Sequence, residues 1–138
     1  MKNLTSLILP VFVLTGCQAN PKPEVKHNYY EIKDSLIPWD HVFAQSENNY
    51  LVYFYSERCG HCNSIKNEVI SYYLTTEETM YFVCTDIDAV FGSQTDLTGI
   101  NNITDFYIFG TPFLARLVEH AISIYYVGAS AILDFIHN

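Results

Sequence analysis

Along this chain the apolar positions fall into two rhythms. Leu51-Val52-Tyr53-Phe54-Tyr55 is an unbroken run of branched and aromatic residues, closed by polar Ser56-Glu57-Arg58. It is too short for a helix and apolar on both sides, so it predicts a buried strand. After Cys62 the rhythm changes: Ile65, Val69, Tyr72 and Tyr73 recur at i, i+4, i+7 and i+8, the spacing of one helical face. Cys59-Gly60-His61-Cys62 therefore falls at a strand-to-helix junction, with Cys59 near the helix N-terminus.

The remaining pattern predicts support on either side. Tyr29-Tyr30-Glu31-Ile32 reads as a first edge strand. From Ile37 the spacing turns helical, with Pro38 in a first turn and Trp39, Val42 and Phe43 on one face, until Asn48-Asn49 break it. Met80 to Val90 reads as a strand, with Tyr81 to Ile87 its firm part and Asp86 and Asp88 its polar end. Phe91 to Asp105 reads as a loop with a short helix near Ile103 to Tyr107. Two strands follow, one opening at Gly110-Thr111-Pro112-Phe113-Leu114 and one at Ile122 to Val127, turned by Glu119-His120-Ala121. Ser130 is the predicted N-cap of a closing helix whose Ile132, Phe135 and Ile136 make one apolar stripe. Strands alternating with helices predict an α/β domain.

The first residues follow another logic. Lys2, the apolar stretch Leu4 to Val13 and Leu14-Thr15-Gly16-Cys17 read as a signal peptide, since the stretch is too short to span a bilayer and contains Pro10. Leu-Thr-Gly-Cys resembles the lipobox of bacterial lipoproteins. That resemblance implies cleavage before Cys17, a lipid on its sulfur, and an extracytoplasmic domain anchored to a bacterial membrane. The expected organisation is residues 1–16 as the signal, 17–28 as lipidated Cys17 and tether, and 29–138 as the domain. Gln18 to Asn28 has linker composition and reaches at most about 36–40 Å when extended.

Composition narrows the chemistry. The chain has 138 residues, 49% hydrophobic and 15% aromatic, enough for one domain with a core. Its net charge of -8 would repel phosphates, which excludes nucleic acid as a partner. Cysteines stand at positions 17, 59, 62 and 84; with Cys17 in the targeting segment the other three are odd in number, so they form no disulfide framework. Cys84, in the apolar run Met80 to Cys84, reads as a buried, inert residue. His27, His41, His120 and His137 lie scattered without metal-ligand spacing. Asp86 and Asp88 read as a solvated strand end, with weak cation binding the sharper alternative. No phosphate loop or carboxylate pair stands out.

The dithiol carries the chemistry. A thiolate at a helix N-terminus is stabilised by backbone N–H groups and the helix dipole, which makes Cys59 the expected attacking sulfur and Cys62 the more buried resolving thiol. His61 between them is placed to stabilise the thiolate and favour the reduced form. The segment Leu51 to Cys62 resembles the active-site segment of the thioredoxin superfamily, most closely the Cys-Gly-His-Cys centre of protein disulfide isomerase domains. Gly110-Thr111-Pro112 is similar to the second signature of that superfamily, a Gly-x-Pro before a strand. The resemblance implies a central mixed β-sheet flanked by helices, a cis proline at Pro112 against the dithiol, and a groove in which Thr111, Pro112, Gly60 and Arg58 meet an extended substrate. It also implies a monomer that exchanges its own dithiol with protein thiols and disulfides, without a cofactor, and that a redox partner recycles.

Three positions depart from that pattern. The buried acid expected six residues before the first cysteine is Tyr53, the usual aromatic before Cys59 is Arg58, and the usual lysine after Cys62 is Asn63. Without the carboxylate, Cys62 needs water, Glu57 or another acid to take its proton, and the Arg58 charge is a candidate for lowering the Cys59 pKa. An oxidase or isomerase role is favoured over that of a reductase. The alternative function is a soft-metal module in which Cys59 and Cys62 bind copper or zinc for delivery. A narrower resemblance is to thioredoxin-like accessory proteins of bacteriocin export.

Overall fold

The computed structural model describes residues 23–93 and 96–138. The expected signal peptide, Cys17 and the first part of the tether lie outside the described residues.

Four strands form one mixed sheet in the order β2-β1-β3-β4. β1 (Asn49–Tyr55) runs parallel to β2 (Met80–Cys84) and antiparallel to β3 (Phe113–Val118), which pairs antiparallel with β4 (Ala121–Val127). β1 is thus a central strand, and Tyr50 to Tyr55 are all buried. Its side chains divide by the two-residue period of a strand. Leu51, Tyr53 and Tyr55 enter one core with Cys62, Ile65, Val69, Phe82, Leu114 and Ile132, under the helices α1 (Gly60–Thr75) and α2 (Ala129–His137). Tyr50, Val52 and Phe54 enter the other core, with Trp39, Val42, Leu97, Phe106, Ile108 and Phe113. That second face is covered by single turns and loop rather than by a long helix. The expected thioredoxin-like arrangement of a mixed sheet flanked by helices is what the chain adopts.

Several local expectations are corrected. Tyr29–Ser35 is a 3-10 helix, not an edge strand, because the Oδ1 of Asn28 accepts the Tyr30 N–H at 2.9 Å while the Glu31 carboxylate accepts the Asn28 N–H at 2.8 Å. These short-range bonds satisfy the backbone before a neighbouring strand can. The chain pairs with the sheet just past the segment's end, through a bridge of Leu36 with Phe82. The helix expected from Ile37 is one 3-10 turn, Trp39–His41, pinned by Trp39 stacking on Phe106 at 5.0 Å. β2 stops at Cys84, and Thr85 to Ile87 turn away with Asp86 bonded to the loop after β1.

The hairpin turn is Glu119-His120 alone, both residues at positive φ (51° and 61°). Two consecutive left-handed residues are the signature of a type I′ turn. Gly128, at φ 86°, caps α2, so Ser130 is inside the helix and not its N-cap. The predicted stripe survives: Ile132 is fully buried, and Phe135 packs on Tyr72 and Tyr126. Cys84 is only half-buried, and its thiol donates to the Asp86 carboxylate at 3.6 Å. A carboxylate at the strand end draws it toward the surface.

Candidate functional site

β1 ends at Tyr55, and four residues carry the chain into α1. Cys59 is the N-cap of that helix, with extended backbone (φ −84°, ψ 115°), and its Sγ accepts the Cys62 N–H at 3.1 Å. A sulfur occupies the place usually held by a Ser or Asp oxygen, facing the unpaired N–H groups of the first turn. On its other side the Cys59 thiol donates to the Thr111 carbonyl at 3.4 Å, across 52 residues of sequence. The Thr111-Pro112 bond is cis. The fold therefore brings Cys59, Cys62 and Thr111 together, with Pro112 the next residue along the chain.

The two sulfurs have opposite environments. Cys59 is half-buried, and its burial works against ionisation. The side chains of Cys62 and Thr111 and the N–H groups of Cys62 and His61 outweigh that cost and hold its pKa below the ordinary thiol value. Cys62 is fully buried one turn along. Desolvation, and then the hydrogen bond with Cys59, push its pKa up to about 11. One sulfur gives up its proton more readily than an ordinary thiol and the other holds it more firmly, which suits sequential exchange.

The flanking residues sit around this pair. Gly60 opens α1 with nothing within 4 Å of where a Cβ would stand, so the surface over Cys59 is open. His61 is exposed, and its backbone N–H faces the Cys59 sulfur. The Arg58 guanidinium turns to Asp86 at 3.4 Å, so its charge is partly engaged there rather than committed to the thiolate. Asn63 reaches back, its side chain donating to the Glu57 carbonyl at 3.1 Å.

Asp86 is a residue that the sequence reading left at a solvated strand end. Its carboxylate accepts from the Ser56 hydroxyl at 2.7 Å and the Glu57 N–H at 3.0 Å, clamping the loop that delivers Cys59. The hydrogen bond from Ser56, foremost, holds its pKa below the usual carboxylate range. Tyr29 and Tyr55 were also missed. Tyr29 stacks on Tyr55 with ring centres 4.1 Å apart and planes at 18°, in the same core as Cys59 and Cys62. Spacing along the chain holds no signal for either contact. Among the described residues no group of three or more His, Cys, Asp or Glu side chains gathers where a metal ion would be held, and no helix is long and apolar enough to cross a membrane.

Comparison with known proteins adds to this geometry. The sequence matches the family model described as Thioredoxin over residues 31–117, more than half of the chain. No curated protein matches it in sequence. Among solved structures it is similar to thioredoxin f2 of Chlamydomonas reinhardtii, at 16% identity and a TM-score of 0.52 over 74% of this chain and 92% of that one. It is also similar to the short form of thioredoxin f from spinach chloroplast, at 14% identity and a TM-score of 0.50 over 77% and 94%. At such identities these structures speak for the fold alone.

Proposed function

The chain belongs to the thioredoxin family, and on that premise we propose that it is a membrane-tethered, extracytoplasmic thiol–disulfide oxidoreductase acting through Cys59 and Cys62. The observation that carries this reading is the Cys59 sulfur itself: it caps α1, accepts the Cys62 N–H, and lies beside the Thr111 carbonyl before cis Pro112. A soft nucleophile is thus held next to a backbone edge suited to an extended peptide.

In the reducing direction the Cys59 thiolate attacks one sulfur of a substrate disulfide. That S–S bond breaks, and the departing thiolate takes a proton from water. Cys62 then gives up its proton, attacks Cys59 Sγ, and releases the second substrate thiol, leaving the Cys59–Cys62 disulfide. The reverse sequence oxidises a substrate dithiol. Gly60 leaves access open, Thr111 and Pro112 shape the substrate edge, and His61 and Arg58 face the incoming chain. A second thiol protein restores the pair after each turnover. Stabilising the Cys59 thiolate favours the reduced form and makes the disulfide the stronger oxidant, which supports oxidase or isomerase work. The Leu14-Thr15-Gly16-Cys17 segment supports a lipid tether outside the cytoplasm.

Two measurements test the proposal. Cys62→Ser should trap substrate proteins in a mixed disulfide at Cys59, whereas Cys59→Ser should trap none and lose all exchange activity. The Cys59–Cys62 couple, equilibrated against glutathione, should show a reduction potential near or above about −200 mV; a value near −270 mV would instead make the protein a reductant. Failure of the pair to form a disulfide would overturn the redox reading.

A further inference from the structure

The second half of the exchange poses a problem that the structure answers in an unexpected place. Cys62 must become a thiolate to release the substrate, yet it is fully buried and held protonated, and the position that would offer a carboxylate is Tyr53. Tyr53 is 1% exposed, and its hydroxyl is buried with no hydrogen-bond partner among the described residues. The hydroxyl of Tyr29 is in the same condition. Both side chains belong to the cluster that holds Cys59 and Cys62, and the rings run as a stack: Tyr29 on Tyr55 at 4.1 Å, and Tyr55 beside Tyr53 at 6.2 Å with planes 12° apart. Burial raises the pKa of both phenols, and the neighbouring sulfurs raise it further.

A buried hydroxyl without a partner is costly and uncommon. Two of them beside one reactive pair suggest a state in which they are paired. They are unsuited to act as bases, because burial drives phenol ionisation far above neutrality. A neutral phenol is a good hydrogen-bond donor to an anion.

We infer that the hydroxyls of Tyr53 and Tyr29 are the donors that receive the Cys62 thiolate as it forms, doing by hydrogen bonding what a buried carboxylate would do by taking the proton. The inference rests on the reading of Cys59 and Cys62 as an attacking and resolving pair. In the step, the Cys62 proton passes to water and the phenols turn their O–H groups to the sulfur. Cys62 Sγ bonds to Cys59 Sγ, and the Cys59–substrate S–S bond breaks. The departing substrate thiolate is protonated from water. Cys59 and Cys62 are oxidised to the disulfide, and the substrate sulfur is reduced.

The test uses the full chain carrying Cys17→Ser and Cys84→Ser, so that only the two sulfurs of the pair react. Reduced protein is mixed with the aromatic disulfide 5,5′-dithiobis(2-nitrobenzoate). The first thionitrobenzoate released reports attack by Cys59, and the second reports resolution by Cys62. Both rates are followed from pH 6 to 10. In Tyr53→Phe, and more so with Tyr29→Phe added, the second rate at pH 7 should fall by roughly tenfold and its pH midpoint rise by about one unit, while the first rate is unchanged. Tyr55→Phe is the control, since its ring lies in the same stack but its hydroxyl is not among the buried ones left without a partner, and its midpoint should stay in place. A second rate whose midpoint is the same in the double Phe variant as in the parent would overturn the inference and leave the redox function standing. A parent protein that releases only one thionitrobenzoate would overturn both. Each Phe variant differs from its parent by one oxygen, and folding is checked by its thermal melt.

Discussion

Tyr53 pays for its place in the core with a hydroxyl that has no partner among the described residues, and that cost is measurable apart from any chemistry. Tyr53→Phe keeps the ring and its edge-on contact with Phe82 at 5.8 Å while removing the orphaned oxygen. The variant should therefore gain about 1–2 kcal/mol, read as a higher urea midpoint with an unchanged slope. A loss of stability would mean that the hydroxyl has a partner in the resting state. The positions of Cys59, Cys62, Thr111 and Pro112 were legible because their chemistry is tied to motif spacing. Even the departure at Tyr53 was legible by counting back from Cys59. What sequence did not reveal was Tyr29, which meets Tyr55 only after the chain between them has folded, and Asp86, whose partners Ser56 and Glu57 lie about 30 residues upstream. The register of β1 on β2 sets the role of Asp86, and the packing of the Tyr29–Ser35 helix sets that of Tyr29, rather than neighbours in the chain.

At the scale of elements, the loop between β1 and α1 depends on the next parallel strand. Asp86→Ala removes the acceptor for Ser56 and Glu57 and should cost about 1 kcal/mol in chemical denaturation. It should also slow the alkylation of Cys59, because the capping sulfur loses its fixed approach to the helix. The β3–β4 turn is open to improvement. Glu119 is exposed at φ 51°, a conformation that Asn tolerates better, so Glu119→Asn should raise stability by about 0.5–1 kcal/mol in thermal melts. The long periodic elements were legible: β1, α1, the hairpin strands and α2 all carry several apolar positions in phase. The segments before β1 were not. In Tyr29–Ser35 the capping bonds of Asn28 and Glu31 decide the conformation, and around Trp39 a single large ring packed on Phe106 holds one turn where periodicity suggested several.

For the whole molecule, the aromatic core sets an alkaline limit. Cys62 and the buried phenols keep their protons to higher pH in the fold than in the unfolded chain, Cys62 to about 11 and Tyr50 to about 12 against ordinary values of 9.0 and 10.0. Above pH 9 the unfolded chain therefore binds fewer protons than the folded one, and stability falls with rising pH. Cys59, with its lowered pKa, pulls the other way only below that range. The reduced protein should lose stability progressively between pH 9 and 12 when followed by far-ultraviolet circular dichroism, and Tyr53→Phe should soften the loss.

The contact between Cys59 and the Thr111 carbonyl also has a bearing on biosynthesis. β1 and the two cysteines that follow it leave the ribosome about fifty residues ahead of Thr111, and β3, the antiparallel neighbour of β1, comes later still. A nascent chain therefore displays a bare dithiol before the edge that would select its partners exists. Reactivity precedes discrimination during synthesis, and the chain needs reducing surroundings or quick completion until residue 118 has emerged.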